Sequence, residues 1–185
     1  MQPFLIPRYA NLKCNRLGLD SYDHVGKRFF DHEPVTYNFN ANGFRTHEFN
    51  ELNSECIVVF GDSCTLGLGE NVQNRFTDIM QDILQHKVFN ISLNGASNDW
   101  IARRVQDLLK YITPKALVIH YTFSHRRESS NIEWNDDERT LCSPEHSDDE
   151  NFYNWLHNFR IITDISKNIP IVHSFIPNWH PITVD

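Results

Sequence analysis

The chain has 185 residues, 40% hydrophobic and 22% charged, a composition typical of one folded domain rather than of a disordered or fibrous protein. Its net charge is −7 and it has no basic stripe, so nucleic-acid binding is not expected. No apolar run is long enough to span a membrane, and residues 1–16 lack the regions of a secretion signal. The four cysteines form no CxxC pair, which predicts free thiols and a cytoplasmic location.

The first fifty residues are rich in aromatic residues, Asn, Asp and His and show no sustained helical period. Residues 35–39 alternate in polarity and are followed by Asn42-Gly43, a turn signal, which predicts a short strand or hairpin. We interpret residues 1–50 as an N-terminal extension that packs on an α/β domain comprising residues 51–185.

From residue 56 onwards, predicted strands alternate with predicted helices. Residues 56–60 form a continuous apolar run that ends in Gly61, as in a strand buried on both faces. Three more strands are predicted at 88–93, 116–123 and 169–176, and amphipathic helices at 76–84, 100–109 (capped by Ser97) and 152–162. This alternation predicts a parallel sheet with helices on both faces, a three-layer α/β/α fold.

Residues 126–150 separate the third predicted strand from the third predicted helix. They have little apolar content and are crowded with carboxylates, among them Asp136, Asp137, Glu138, Asp148, Asp149 and Glu150. A solvated, mobile loop is the usual interpretation of such a run. A lid over a ligand site is the alternative, because the segment follows the carboxyl end of a strand.

The loop after the first buried strand, residues 61–69, is the first candidate for chemistry. Ser63 follows the strand with small neighbours, so its hydroxyl can be exposed at the start of a helix, as in a nucleophile elbow. The loop is not GxSxG, since Thr65 takes the place of the second Gly. Two alternatives remain: a phosphate-binding loop, although it lacks GxGxxG and a P-loop Lys, and an ordinary connection in which Ser63 caps the helix.

Residues 60–69, FGDSCTLGLG, resemble the first sequence block of the SGNH (GDSL-type) hydrolases. Residues 90–97, NISLNGAS, resemble the second block, and residues 37–45 are similar to a segment that precedes the first block in some members. The resemblance implies a flavodoxin-like sheet and an esterase or acyl hydrolase activity. It also implies that Ser63 is the nucleophile and that the backbone N–H groups of Ser63 and Gly95 bind the oxyanion.

The chain departs from this family in two blocks. The third block, GxND, is replaced after the third strand by residues 120–126, HYTFSHR, where Ser124 is the candidate oxyanion donor. No DxxH occurs, and His180 is the candidate general base near the end of the chain. We therefore expect the domain to be C-terminally incomplete, without the last strand and helix of the family.

Other reactive residues have simpler interpretations. We expect His120 to be a hydrogen-bonded histidine of the core, and no metal-ligand spacing surrounds His125. Cys64 is interpreted as a small buried residue beneath the elbow. No metal or other cofactor is expected.

The sequence thus predicts a serine-dependent hydrolase that acts on an ester (acyl or acetyl) bond of a small molecule or carbohydrate. The alternative is a non-catalytic carbohydrate- or partner-binding module that kept the fold and lost the base. A phosphate- or nucleotide-binding flavodoxin-like domain is a third possibility, which the Asp-containing loop disfavours. No membrane span is expected, and the oligomeric state is not predicted.

Overall fold

The computed structural model describes residues 4–15, 35–128, 140–142 and 146–176. In chain order the strands are β1 (Lys13–Cys14), β2 (Tyr37–Asn38), β3 (Ile57–Gly61), β4 (Val88–Ser92), β5 (Ala116–Tyr121), β6 (Arg126–Glu128), β7 (Thr140–Cys142) and β8 (Ile171–Phe175). The α-helices are α1 (Ser63–Leu66), α2 (Phe76–Leu84), α3 (Asn98–Leu109) and α4 (Asp148–Ile165).

The centre of the fold is a parallel sheet in the strand order β4–β3–β5–β8. These are the four strands predicted from the sequence, with ends that differ by at most a few residues. The order reverses direction at β3, since β4 lies on one side of it and β5 and β8 on the other. Ligands of such sheets bind outside the carboxyl ends of the strands at this reversal, which directs attention to the loops after β3, β4 and β5.

Both faces of the sheet are covered by helices, which confirms the three-layer prediction. Val58 and Phe60 of β3 point to the larger hydrophobic cluster, which includes residues of α3 and α4. Ile57 and Val59 point to the opposite face and pack with Met80 of α2. This alternation follows from the two-residue period of a β-strand.

Polar side chains fix the starts of α3 and α4. The Ser97 hydroxyl accepts a hydrogen bond from the Trp100 N–H, as predicted for a helix cap. At α4, Ser147 and Glu150 form a reciprocal capping box, so the helix begins at Asp148, four residues before the predicted start. The acidic residues 148–150 therefore form the first turn of a helix, where negative charges interact favourably with the positive end of the helix dipole.

The prediction of a solvated, mobile loop over residues 126–150 is wrong at both ends of that range. Its beginning is β6, which pairs antiparallel with β7, and its end is the first turn of α4. The carboxylates of residues 136–138 lie outside the described residues.

The N-terminal segment packs on the sheet domain. The strand predicted within residues 35–39 is confirmed as β2, but it pairs with β1 rather than in a local hairpin. Gly43 makes the predicted turn with φ of +82°, and a Cβ there would lie 2.3 Å from the Ile6 carbonyl oxygen. The Thr46 hydroxyl accepts a hydrogen bond from the Asn90 N–H of β4. The boundary at residue 50 stays a prediction.

Candidate active site

The loop after β3 has the strand–turn–helix form expected of a nucleophile elbow. Ser63 is half-buried and begins α1, a single helical turn that Gly67 ends in the left-handed conformation with φ of +75°. Gly61 allows the turn to close, because a Cβ at this position would lie 2.0 Å from the Thr65 hydroxyl oxygen. The sequence therefore places the Ser63 side chain at the carboxyl edge of the sheet.

Asp62 fixes this turn through both carboxylate oxygens. Its Oδ1 accepts from the Cys64 N–H at 3.0 Å, which caps α1. Its Oδ2 accepts from the Thr122 hydroxyl at 2.7 Å and from the Arg126 guanidinium at 2.9 Å. The carboxylate is fully buried, so these charge-assisted bonds compensate for its loss of water.

A second buried network joins the loop after β5 to the start of α3. The Asn98 amide accepts from the Thr122 N–H at 3.0 Å and donates to the Thr122 carbonyl at 3.2 Å. Through Thr122 and Asp62, the ends of β3 and β5 and the start of α3 are tied into one hydrogen-bonded unit. Sequence reasoning missed Thr122, Asn98 and Arg126 as members of this unit.

Gly95 lies in the loop after β4, next to the elbow. The backbone of this loop is held against β3 by a hydrogen bond from the Leu93 N–H to the Gly61 carbonyl at 3.3 Å. Gly95 has a φ of +80°, and no atom lies within 4 Å of the position that a Cβ would occupy. Within the described residues, no hydrogen bond uses the N–H of Gly95 or of Ser63, which leaves both donors open at this edge.

The buried Asn90 supports the elbow from below. Its side-chain amide donates to the Thr65 carbonyl at 2.6 Å and to the Thr77 hydroxyl at 3.2 Å. It also accepts from the Ser92 hydroxyl. The second sequence block thus stabilises α1 as well as carrying Gly95.

Arg45 holds the loop that follows α1. Its guanidinium donates to the carbonyls of Leu66, Gly67 and Glu70 at 3.3, 2.7 and 2.8 Å, although the residue is only 1% exposed. It also lies over the ring of Tyr37 at 4.5 Å from the centroid. The N-terminal segment therefore shapes the site, which the sequence indicated only through the resemblance of residues 37–45.

The remaining predicted site residues have different outcomes. Ser124 is half-buried in the turn after β5, but Thr122 and Arg126, rather than Ser124, contact Asp62. The role of Ser124 as an oxyanion donor stays a prediction. His180 lies outside the described residues.

The prediction that Cys64 is buried is wrong. Cys64 is exposed, because its position on the single turn of α1 faces away from the core. Partial burial of the thiol and the neighbouring Asp62 carboxylate nevertheless raise the pKa of Cys64, against a smaller opposing effect of Arg126. A raised pKa keeps the thiol protonated at neutral pH and disfavours Cys64 as a nucleophile.

His120 is a half-buried residue near the end of β5, and its Nδ1 lies 3.1 Å from the Ser174 hydroxyl, as expected for a hydrogen-bonded core histidine. Burial lowers the pKa of His120, so the imidazole is neutral at pH 7. Within the described ranges, no group of three or more His, Cys, Asp or Glu side chains is placed to hold a metal ion.

No family model and no curated protein matches this chain. Solved structures that it resembles include the SGNH-hydrolase family esterase AlinE4, with a TM-score of 0.44 and 17% identity over 66% of this chain. TesA matches with a TM-score of 0.46 and 16% identity over 68% of this chain. The psychrotrophic esterase EstA from Pseudoalteromonas sp. matches with a TM-score of 0.42 and 16% identity over 69% of this chain and 64% of EstA.

The chain covers 59% of AlinE4 and 62% of TesA, less than two thirds of either protein. Among the described helices, none has the length and apolar composition that crossing a membrane requires.

Proposed function

We propose that this protein is a serine-dependent hydrolase of ester bonds, with Ser63 as the nucleophile. The observation that carries the proposal is the elbow itself. A buried strand ends at Gly61, where a Cβ would collide with Thr65, and the half-buried Ser63 takes the first position of the helix that follows. This arrangement exposes a hydroxyl beside backbone N–H groups, which acyl transfer requires.

In the proposed reaction, the Ser63 hydroxyl attacks the ester carbonyl and its proton passes to a general base. The oxyanion of the tetrahedral intermediate accepts hydrogen bonds from the N–H groups of Ser63 and Gly95, with Ser124 as the proposed third donor. The alcohol leaves with a proton from the protonated base, and water then hydrolyses the acyl-serine. His180 is the proposed base, since the sequence has no DxxH.

A second candidate function is a binding module for a carbohydrate or protein partner. It is favoured by the replacement of GxND by residues 120–126, because this removes an oxyanion donor that the hydrolases of the family carry there. In this case the same edge of the sheet would hold a ligand without turning it over.

The two candidates separate in one experiment on the full chain. Hydrolysis of 4-nitrophenyl acetate and labelling by a fluorophosphonate are measured for the wild type, Ser63→Ala and the control Ser54→Ala, which changes an exposed serine. We expect Ser63→Ala to abolish labelling and to lower kcat by about a thousandfold or more, with Ser54→Ala like the wild type. A wild type that is neither labelled nor active, or a Ser63→Ala variant of full activity, contradicts the proposal.

A further inference from the structure

Arg126 brings a positive charge to the candidate active site, a feature that the proposed ester hydrolysis does not by itself use. Its Nη1 donates to the Asp62 carboxylate and to the Thr122 hydroxyl, each at 2.9 Å. Asp62 immediately precedes Ser63, and the guanidinium also acts electrostatically on the thiol of Cys64. Arg126 therefore lies at the elbow.

The backbone that carries Arg126 is anchored on both helices of one layer. The Asp99 carboxylate of α3 accepts from the Glu128 N–H of β6 at 2.9 Å. The same carboxylate accepts from the amides of Asn154 and Asn158 on α4, at 2.8 and 2.6 Å. Glu128 also forms an ion pair with Arg103 of α3. These contacts hold β6, and so fix the position from which Arg126 reaches the site.

Most of the hydrogen-bonding capacity of Arg126 remains open. A guanidinium has five N–H donors in a planar fork, and in the described part of the chain only Nη1 makes hydrogen bonds. The side chain is 20% exposed and its guanidinium lies 5.1 Å from the centroid of the Phe123 ring. Asp62 thus holds one side of the fork, and Nε and Nη2 are available to a ligand.

We propose that Arg126 binds a carboxylate of the substrate, so that the ester cleaved at Ser63 carries a negative charge near the reacting carbonyl. The inference rests on the proposed function for the ester bond and adds the charge of its substrate. A guanidinium suits this task because its planar donors match the two oxygens of a carboxylate. The ion pair with Asp62 leaves room for this ligand, because Asp62 accepts only from Nη1 of Arg126 and its other oxygen accepts from the Cys64 N–H.

Arg127 offers a matched control. Its guanidinium donates to the Asn151 side chain and to the Glu150 carbonyl, so it faces α4 rather than Asp62. Arg127→Gln removes the same charge one residue away from the proposed contact.

The first test compares two 4-nitrophenyl esters with four-carbon acyl chains, the hemisuccinate, which carries a carboxylate, and the neutral butyrate. For Arg126→Gln, we expect the ratio of kcat/KM for hemisuccinate to that for butyrate to fall about tenfold or more, as for loss of a charge-assisted bond. Arg127→Gln should keep the wild-type ratio, and Arg126→Lys should lie between. An unchanged ratio in Arg126→Gln, or an equal loss for both esters, overturns the proposal; the equal loss would assign Arg126 to holding Asp62 and the elbow.

The second test does not depend on turnover. Calorimetric titration of the wild type should show binding of succinate and none of its neutral diamide, with succinate affinity about tenfold or more weaker in Arg126→Gln and unchanged in Arg127→Gln. Succinate binding by a protein that hydrolyses neither ester supports the anion site and contradicts the hydrolase function. Hydrolysis without succinate binding or charge preference does the reverse. If Arg126→Gln fails to fold, Arg126→Lys together with the salt dependence of succinate binding decides the question.

Discussion

The two helical layers of this domain bury their apolar residues to very different extents. On the side of α3 and α4, Ile101, Leu108 and Ile162 are fully buried against the sheet. On the side of α2, Ile79 is 44% and Ile83 73% exposed within the described structure. The amphipathic period predicted both layers equally well. It identifies residues that share a helix face but not whether a neighbour covers that face.

The largest effect should come from the buried layer. Ile101→Ala removes a fully buried side chain of α3 and leaves a cavity, so we expect the free energy of unfolding to fall by about 2–5 kcal/mol. Chemical denaturation of the variant and the wild type measures this change. A loss below about 1 kcal/mol would mean that the two layers are packed alike.

A smaller, pH-dependent effect is expected at the start of α4. Hydrogen bonds from the backbone and side chain of Ser147 lower the pKa of Glu150 from its ordinary value of 4.5. The carboxylate therefore stabilises the fold fully above that value, and the contribution is lost as the pH falls through the lowered pKa. Thermal unfolding at pH 7 should favour the wild type over Glu150→Gln, and the difference should vanish in acid below the lowered pKa of Glu150. A difference that persists in acid would argue against the capping box.

The smallest effect is expected on the exposed layer. Ile83→Ser changes a side chain that is 73% exposed, so the free energy of unfolding should change by no more than about 0.5 kcal/mol in denaturation experiments. A loss as large as that of Ile101→Ala would show that this face of α2 is covered in solution.

Local patterns in the sequence predicted the parts of the fold that depend on neighbouring residues. The strands, the Ser97 cap and the glycine turn at Gly43 each follow from a few adjacent residues. The site depends on residues far apart in the chain: Arg126 meets Asp62 across 64 positions, and Arg45 reaches the Gly67 carbonyl across 22. No periodicity or spacing encodes such pairs, because Arg45, Asp62 and Arg126 are charged residues of a kind that ordinarily lies at the surface.

The solvent exposure of single residues was also not predictable from the sequence pattern. Cys64 was predicted to be buried beneath the elbow, yet it is exposed because it faces away from the core, whereas Thr65 and Leu66 on the same turn are buried. The acidic run was similarly misjudged at its end, where Ser147 and Glu150 convert a charged segment into the start of a helix. At α4 the outcome was decided by a helix boundary, and boundaries are where sequence patterns are least precise.

Arg45 connects the N-terminal segment to the loop that follows the elbow. Its guanidinium is nearly buried, and three of its acceptors are carbonyls of the loop that follows Ser63. In the same loop, the Gly69 N–H donates to the Tyr37 hydroxyl at 2.7 Å. A recombinant fragment that begins at residue 51 would lack Arg45 and Tyr37. The loop carbonyls and the Gly69 N–H would then lose their hydrogen-bond partners. We therefore expect the two segments to unfold together, since the loop that follows Ser63 keeps its conformation only while the N-terminal segment is packed against it.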